Sequence, residues 1–245
     1  MCAGALHTCR QLLIRPSAFF DERDPVSTLP IAASLVVLLA IALGISTVLL
    51  GTMLAGSIDA TVTVDNPDRP PEWVCDRHGN DSDSHLGRGC DEPETVERDV
   101  GPIVYDMMTD YLGFAVVAPF LLWFLGGIVL FVTARLANGT PSISGAFALA
   151  GWAALPEFVR LGVGLVAIRY ALSDVTITDP ERADVLVQAA FAPIDPLLTF
   201  ATILTACWQW YLLTGGMVHD ADIEWPTAAL AVGVPLAIWL LVSLF

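Results

Sequence analysis

Five apolar stretches, separated by short turns or strongly polar segments, set the layout of the chain. The first runs from Ile31 to about Ala55 without a charged residue. The second, about 111–134, is also uncharged, holds Pro119 and Trp123, and stops at Arg135. The third, about 144–170, follows a Gly/Ser/Pro-rich turn and carries Pro156, Glu157 and Arg160 inside it. The fourth and fifth cover about 195–218 and 226–245, the last with Pro235 within it. Each reaches the ~20 residues that a helix needs to cross ~30 Å of hydrocarbon. Lipid offers the backbone no hydrogen-bond partners, so spans of this kind are helical. The pattern therefore predicts an all-α polytopic membrane protein, a bundle of five transmembrane helices. The first stretch is too long, and starts too late, for a signal-peptide core of ~7–15 residues.

Two polar regions frame these spans. Residues 1–30 read as a cytoplasmic N-terminal segment, with an amphipathic stretch near Leu6–Ile14 that suits an interfacial helix or, equally, a disordered tail, and a break at Pro16. Residues 31–245 then form the five-span membrane domain, interrupted by a long loop over 56–110. The loop holds fourteen acidic residues, from Asp59 to Asp110, against Arg69, Arg77, Arg88 and Arg98, a net of −10. No inverted repeat is visible, and no lipidation box: position 2 is Cys and the chain ends LVSLF.

Composition changes the picture in one respect. With 55% hydrophobic residues and a mean hydropathy of +0.66, the membrane class is expected, but the net charge of −15 is not. All 11 basic residues are Arg, and there is no Lys. Such a charge on a small polar surface self-repels in ordinary buffer, and multimolar salt screens it because the Debye length falls to ~3 Å at 1 M. A salt-in halophilic microbe is the expected source. Nucleic-acid binding is excluded as an expectation, since its basic footprint is missing. The positive-inside rule places Arg10, Arg15, Arg23 and Arg135 in the cytoplasm. This gives a cytoplasmic N-terminus, an extracytoplasmic acidic loop and an extracytoplasmic C-terminus.

Candidate chemistry is sparse. Cys75 and Cys90 lie on the oxidising side, where a disulfide would close an otherwise free loop. The same cysteines with His78 and His85 are an alternative, weaker set of tetrahedral zinc ligands, at a spacing that matches no known finger. Asn80-Asp81-Ser82 is a glycosylation sequon in the loop; Asn138-Gly139-Thr140 is another, on the cytoplasmic side of this topology. Asp81 and Asp83 resemble the start of an EF-hand loop but lack its Gly and its final Glu, so they read as solvated charge.

Within the spans, Glu157 and Arg160 stand three apart and can pair. Intramembrane ionisable residues are functional candidates by default, although a self-neutralised pair that fixes packing fits as well. Asp195, between Pro193 and Pro196, suits a helix N-cap or a cation contact. If Glu157, Arg160 and Asp195 faced one cavity, a small transporter or channel would have its polar path. The Cys207-Trp208-Gln209-Trp210-Tyr211 cluster suits an interface belt or a bundle contact. No catalytic set and no cofactor box is present: all four His residues lie outside the spans.

Three pieces together resemble the Yip domain family, five-span membrane proteins named for interaction with Ypt/Rab GTPases. They are Pro16-Ser-Ala-Phe-Phe20 ahead of the first span; the turn and helix Gly139…Gly145-Ala-Phe147…Gly151-Trp-Ala…Pro156; and Trp208, Leu212, Gly216 and His219 ahead of a last span with Pro235. The resemblance covers the chain apart from the 56–110 loop and is to microbial members, which with the acidic charge points to a haloarchaeal one. It implies five helices, a cytoplasmic N-terminus and no enzymatic centre. Its expected partners are the lipid bilayer and other membrane proteins, or further copies of the chain. The long N-terminal region of eukaryotic members is reduced to 30 residues here, so GTPase binding is not carried over.

Overall fold

The computed structural model describes residues 16–78, 85–179 and 182–244. Helix α1 (Pro16–Glu22) leads into a 3-10 turn (Pro25–Thr28). The Asp24 side chain caps that turn by accepting from the Val26 N–H at 3.0 Å. Helix α2 (Leu29–Gly56) has 28 residues, about 42 Å at 1.5 Å per residue, more than the hydrocarbon core requires. Its Ser46 and Thr47 hydroxyls donate to the Ala42 and Leu43 carbonyls at 2.7 and 2.9 Å, so these polar groups are satisfied within the helix.

The acidic loop has more structure than its charge suggests. Strand β1 (Thr61–Asp65) pairs antiparallel with β2 (Thr95–Asp99), Thr63 standing opposite Glu97. Short helices α3 (Glu72–His78) and α4 (His85–Cys90) lie between them. Helix α5 (Val100–Asp110) then runs on through Tyr111 into α6 (Leu112–Leu136), so the last residues of the expected 56–110 loop are helical. Asp106 and Asp110 disguise this segment as loop. Its Tyr105 and Met108 sit against Gly51 of α2, at helical spacing.

The third span is two helices. Helix α7 (Ile143–Trp152) breaks at Ala153, and α8 (Ala154–Leu172) continues. Pro156, in the first turn of α8, has no N–H to return to the preceding turn, which explains the break. Helices α9 (Ala183–Phe191), α10 (Asp195–Ala221) and α11 (Trp225–Leu244) complete the chain. Among the described residues five helical stretches are long and apolar enough to cross a membrane: Pro25–Gly56, Val100–Leu136, Ile143–Leu172, Asp195–Ala221 and Trp225–Val242. The chain is thus an all-α, multi-span membrane protein with one small two-stranded sheet.

The spans form a closed ring: α2 packs on α6, α6 on α11, α11 on α10, α10 on α8, and α8 back on α2. Helix α7 enters between α2, α6 and α10 at the end of the bundle where α1 lies. Its Ala146, Ala148, Leu149 and Trp152 are buried with Phe19, Phe20, Leu212 and Met217 in the main core. Lipid tails give helices no hydrophobic reason to associate, so close approach through small residues carries the packing. Gly216 of α10 shows the limit: a Cβ there would fall inside the van der Waals shell of Leu149 Cδ2. At the opposite end, Ile58 and Ile177 form a parallel bridge, with Asp59 N–H donating to the Ile177 carbonyl at 2.8 Å.

Candidate functional site

Within the bundle, two places among the described residues bring distant polar side chains together. The first is inside the bundle. Glu157 and Arg160 pair on α8, with Glu157 Oε2 at 2.7 Å from Arg160 Nε and 2.6 Å from Nη2. Gln209 of α10 joins them: its Nε2 donates to Glu157 Oε1 at 2.8 Å and to the Ala153 carbonyl at 3.0 Å. The amide thereby occupies a carbonyl at the α7–α8 break and holds Glu157 from across the bundle. Sequence reading missed Gln209, which stood hidden among aromatic residues. A lone amide in an apolar span is itself a signal, because an unpaired one is costly in hydrocarbon.

This triad lines a half-open cavity of about 630 Å³ to which all five spans contribute, and its rim residues Leu122, Leu125 and Trp239 are exposed on the outside of the bundle. Its walls are otherwise mainly hydrocarbon, including Leu39, Leu122, Leu165, Leu236 and Trp239, together with Pro119 and Pro235. Thr202 also lines it, but its hydroxyl donates to the Leu198 carbonyl of its own helix at 2.9 Å. The cavity reaches Leu50, Ile168, Leu198 and Trp239, within about two turns of the helix ends farthest from α1. Toward α1 the ring is filled by α7.

Asp195 does not join this set. It lies exposed in the first turn of α10, outside the cavity lining, and the N-cap position belongs to Ile194, without a side-chain capping bond. Fourteen residues separate Asp195 from Gln209 along α10, about 21 Å of helix. The three ionisable candidates therefore do not line one path. The aromatic cluster divides as well: Trp210 donates to the Ala229 carbonyl at 2.9 Å and meets Trp225 edge-on at 5.8 Å, a bundle contact between α10 and α11.

The second place is the end of the bundle that carries α1. Two turns meet there: Thr140 N–H donates to the Ala221 carbonyl at 2.8 Å, and Ser142 Oγ donates to Asp220 Oδ1 at 2.8 Å. Ser142 also caps α7, accepting from Gly145 N–H at 2.9 Å. A side chain at Gly145 would collide with Asp220 Oδ1. Asn138 and Asp222 take the left-handed conformation, at φ 61° and 53°, one that Asn and Asp adopt more readily than other side-chain-bearing residues. Helix α1 is docked against α10, with Phe19 and Phe20 each 2% exposed and Phe19 edge-on to Trp152 at 5.2 Å. Trp152 Nε1 donates to Thr28 Oγ1 at 3.0 Å.

In the far loop, Cys75 and Cys90 are joined in a disulfide with Cα atoms 5.4 Å apart. These are the two cysteines of the alternative zinc set. The side chains of His78 and His85 lie outside the described residues, as do Asn80, Asp81, Asp83 and the N-terminal stretch around Leu6–Ile14.

A family model described as the Yip1 domain matches residues 10–245. No curated protein and no solved structure matches the chain.

Proposed function

The chain belongs to the Yip1 domain family, and from that membership we propose that it is a non-enzymatic membrane protein that organises other membrane components through the face formed by α1 and the two turns beside it. One observation carries this reading. The segment ahead of the first span is docked through Phe19 and Phe20 and continuous with both turns, so that end of the bundle is one folded surface. Asp21, Asp24, Asp222 and Glu224 stand on it as an acidic rim. The arginine distribution supports a cytoplasmic location for this face and an extracytoplasmic one for the acidic loop and the C-terminus. The disulfide agrees with that placement, because such bonds persist in oxidising compartments. The net charge of −15 without Lys supports a salt-in, haloarchaeal origin. The hydrocarbon walls of the cavity and the separation of Asp195 favour an organiser over a small transporter or channel.

The test is cross-linking in native membranes at multimolar salt, followed by mass spectrometry of what a tagged chain captures. A stoichiometric membrane partner lost on Asp222→Asn with Glu224→Gln, and kept on substitutions in 61–65, supports the reading. Self-cross-links alone, or Glu157-dependent ion flux in proteoliposomes, would count against it. Modification of Asn80 but not Asn138 is expected from the orientation; the reverse inverts it.

A further inference from the structure

We propose that the central cavity binds a neutral lipid-soluble molecule: a long apolar chain bearing one carbonyl-type hydrogen-bond acceptor, which meets the guanidinium of Arg160. Ligand sites are clefts or cavities of ~300–1,000 Å³. At about 630 Å³, lined by every span, this cavity has the size of a site. Its walls select the body of the ligand. A hydrated ion would lose its water to hydrocarbon without compensation, at a prohibitive cost, whereas an alkyl or isoprenoid chain loses nothing relative to the bilayer. The long dimension, from the triad to Leu50, Ile168 and Trp239, gives that chain room along the bundle axis.

The hydrogen-bond accounting selects the head. Both Glu157 oxygens are engaged, one by Gln209 and the other by Arg160. Both protons of the Gln209 amide are spent, on Glu157 and on the Ala153 carbonyl. Arg160 carries five N–H donors, and its bonds to Glu157 use only Nε and Nη2. Its side chain is 49% exposed, on the open side of the cavity. Beyond the Gln209 Oε1 acceptor, the spare polar capacity of the site is the remaining N–H donors of Arg160. The Glu157–Arg160 pair is neutral as a unit, so an anion would gain attraction from one partner and repulsion from the other. A carbonyl oxygen fits both constraints.

The experiment uses the full chain in lipid nanodiscs at multimolar salt, with 4-octylbenzophenone as the probe: a neutral apolar ketone that also photo-cross-links. Saturable adducts are expected on cavity residues such as Leu161 and Leu165. A long-chain methyl ketone should compete at least tenfold better than the alkane of equal length. Arg160→Leu should abolish that tenfold advantage. Gly164→Phe fills the cavity at a position where an added Cβ meets nothing within 4 Å, and should remove the adducts. Gly162→Phe, exposed and outside the lining, should leave them. Adducts spread over lipid-facing residues and indifferent to Gly164→Phe would overturn the proposal. Equal competition by ketone and alkane would overturn the role given to Arg160. Neither outcome touches the partner-capture test, because the docked face and the cavity lie at different levels of the bundle.

Discussion

Gly216→Ala tests whether α7 is the element that the other spans pack around. Two opposing terms act at this position. Replacing an interior helical Gly with Ala favours the helix by up to about 1 kcal/mol. Against it, the new methyl collides with Leu149 Cδ2, which is fully buried and lies beside Phe20; overpacking costs about 1–3 kcal/mol, and so close an approach belongs to the upper part of that range, about 2–3 kcal/mol. With overpacking at about 2–3 kcal/mol and the helix gain at about 1 kcal/mol, the second term wins by about 1–2 kcal/mol. For a chain of this size that corresponds to a fall in Tm of roughly 2–8 °C. Gly162→Ala isolates the first term, since its Cβ meets nothing within 4 Å; it should raise Tm slightly. Leu149→Ala alone should cost about 2–5 kcal/mol through the cavity it leaves. In the double variant the methyl added at position 216 occupies part of that space, so the combined loss should be at least ~1 kcal/mol smaller than the sum. The assay is tryptophan-monitored thermal unfolding in detergent at high salt, with the wild type and all four variants side by side. A neutral Gly216→Ala, or strict additivity in the double variant, would refute the close α7–α10 contact.

Three further outcomes follow from single contacts. Ser142→Ala should lower stability by about 1–3 kcal/mol, because it removes the hydroxyl that accepts from Gly145 N–H and donates to Asp220 Oδ1; Ser142→Thr, which keeps the hydroxyl, should recover much of the loss in the same melt. Gln209→Leu should cost about 1–3 kcal/mol by stripping the Ala153 carbonyl and Glu157 Oε1 of a donor. It should also speed hydrogen exchange around residues 153–157; protection equal to wild type would show that Gln209 does not hold the break. Reducing the Cys75–Cys90 bond, which spans 15 residues, should cost the loop about 3 kcal/mol in a chain-entropy model. Faster exchange in Thr61–Asp65 and Thr95–Asp99, with α10 unchanged, is the expected readout.

The five-span, all-α character was legible in the sequence because apolar length is a local property, and hydrocarbon leaves the backbone no alternative to a helix. The Glu157–Arg160 pair was legible for the same reason, since residues three apart on one helix are neighbours. Helices α2, α6 and α11 are apolar on all sides, so no stripe marks which face turns inward. Rotation and order around the ring are set by where small residues let helices approach, and that emerges only in the assembled bundle. Gln209 reaches Glu157 across 52 residues, and Ser142 reaches Asp220 across 78. Neither pair has a sequence signature, since each is made by the docking of helices whose own patterns say nothing about their neighbours. Apolar length along the chain was thus enough to dictate five helical crossings. Helix docking placed α7 at the centre of one end, left a half-open cavity beyond the break at Ala153, and kept Asp195 outside the lining that Glu157 and Arg160 share.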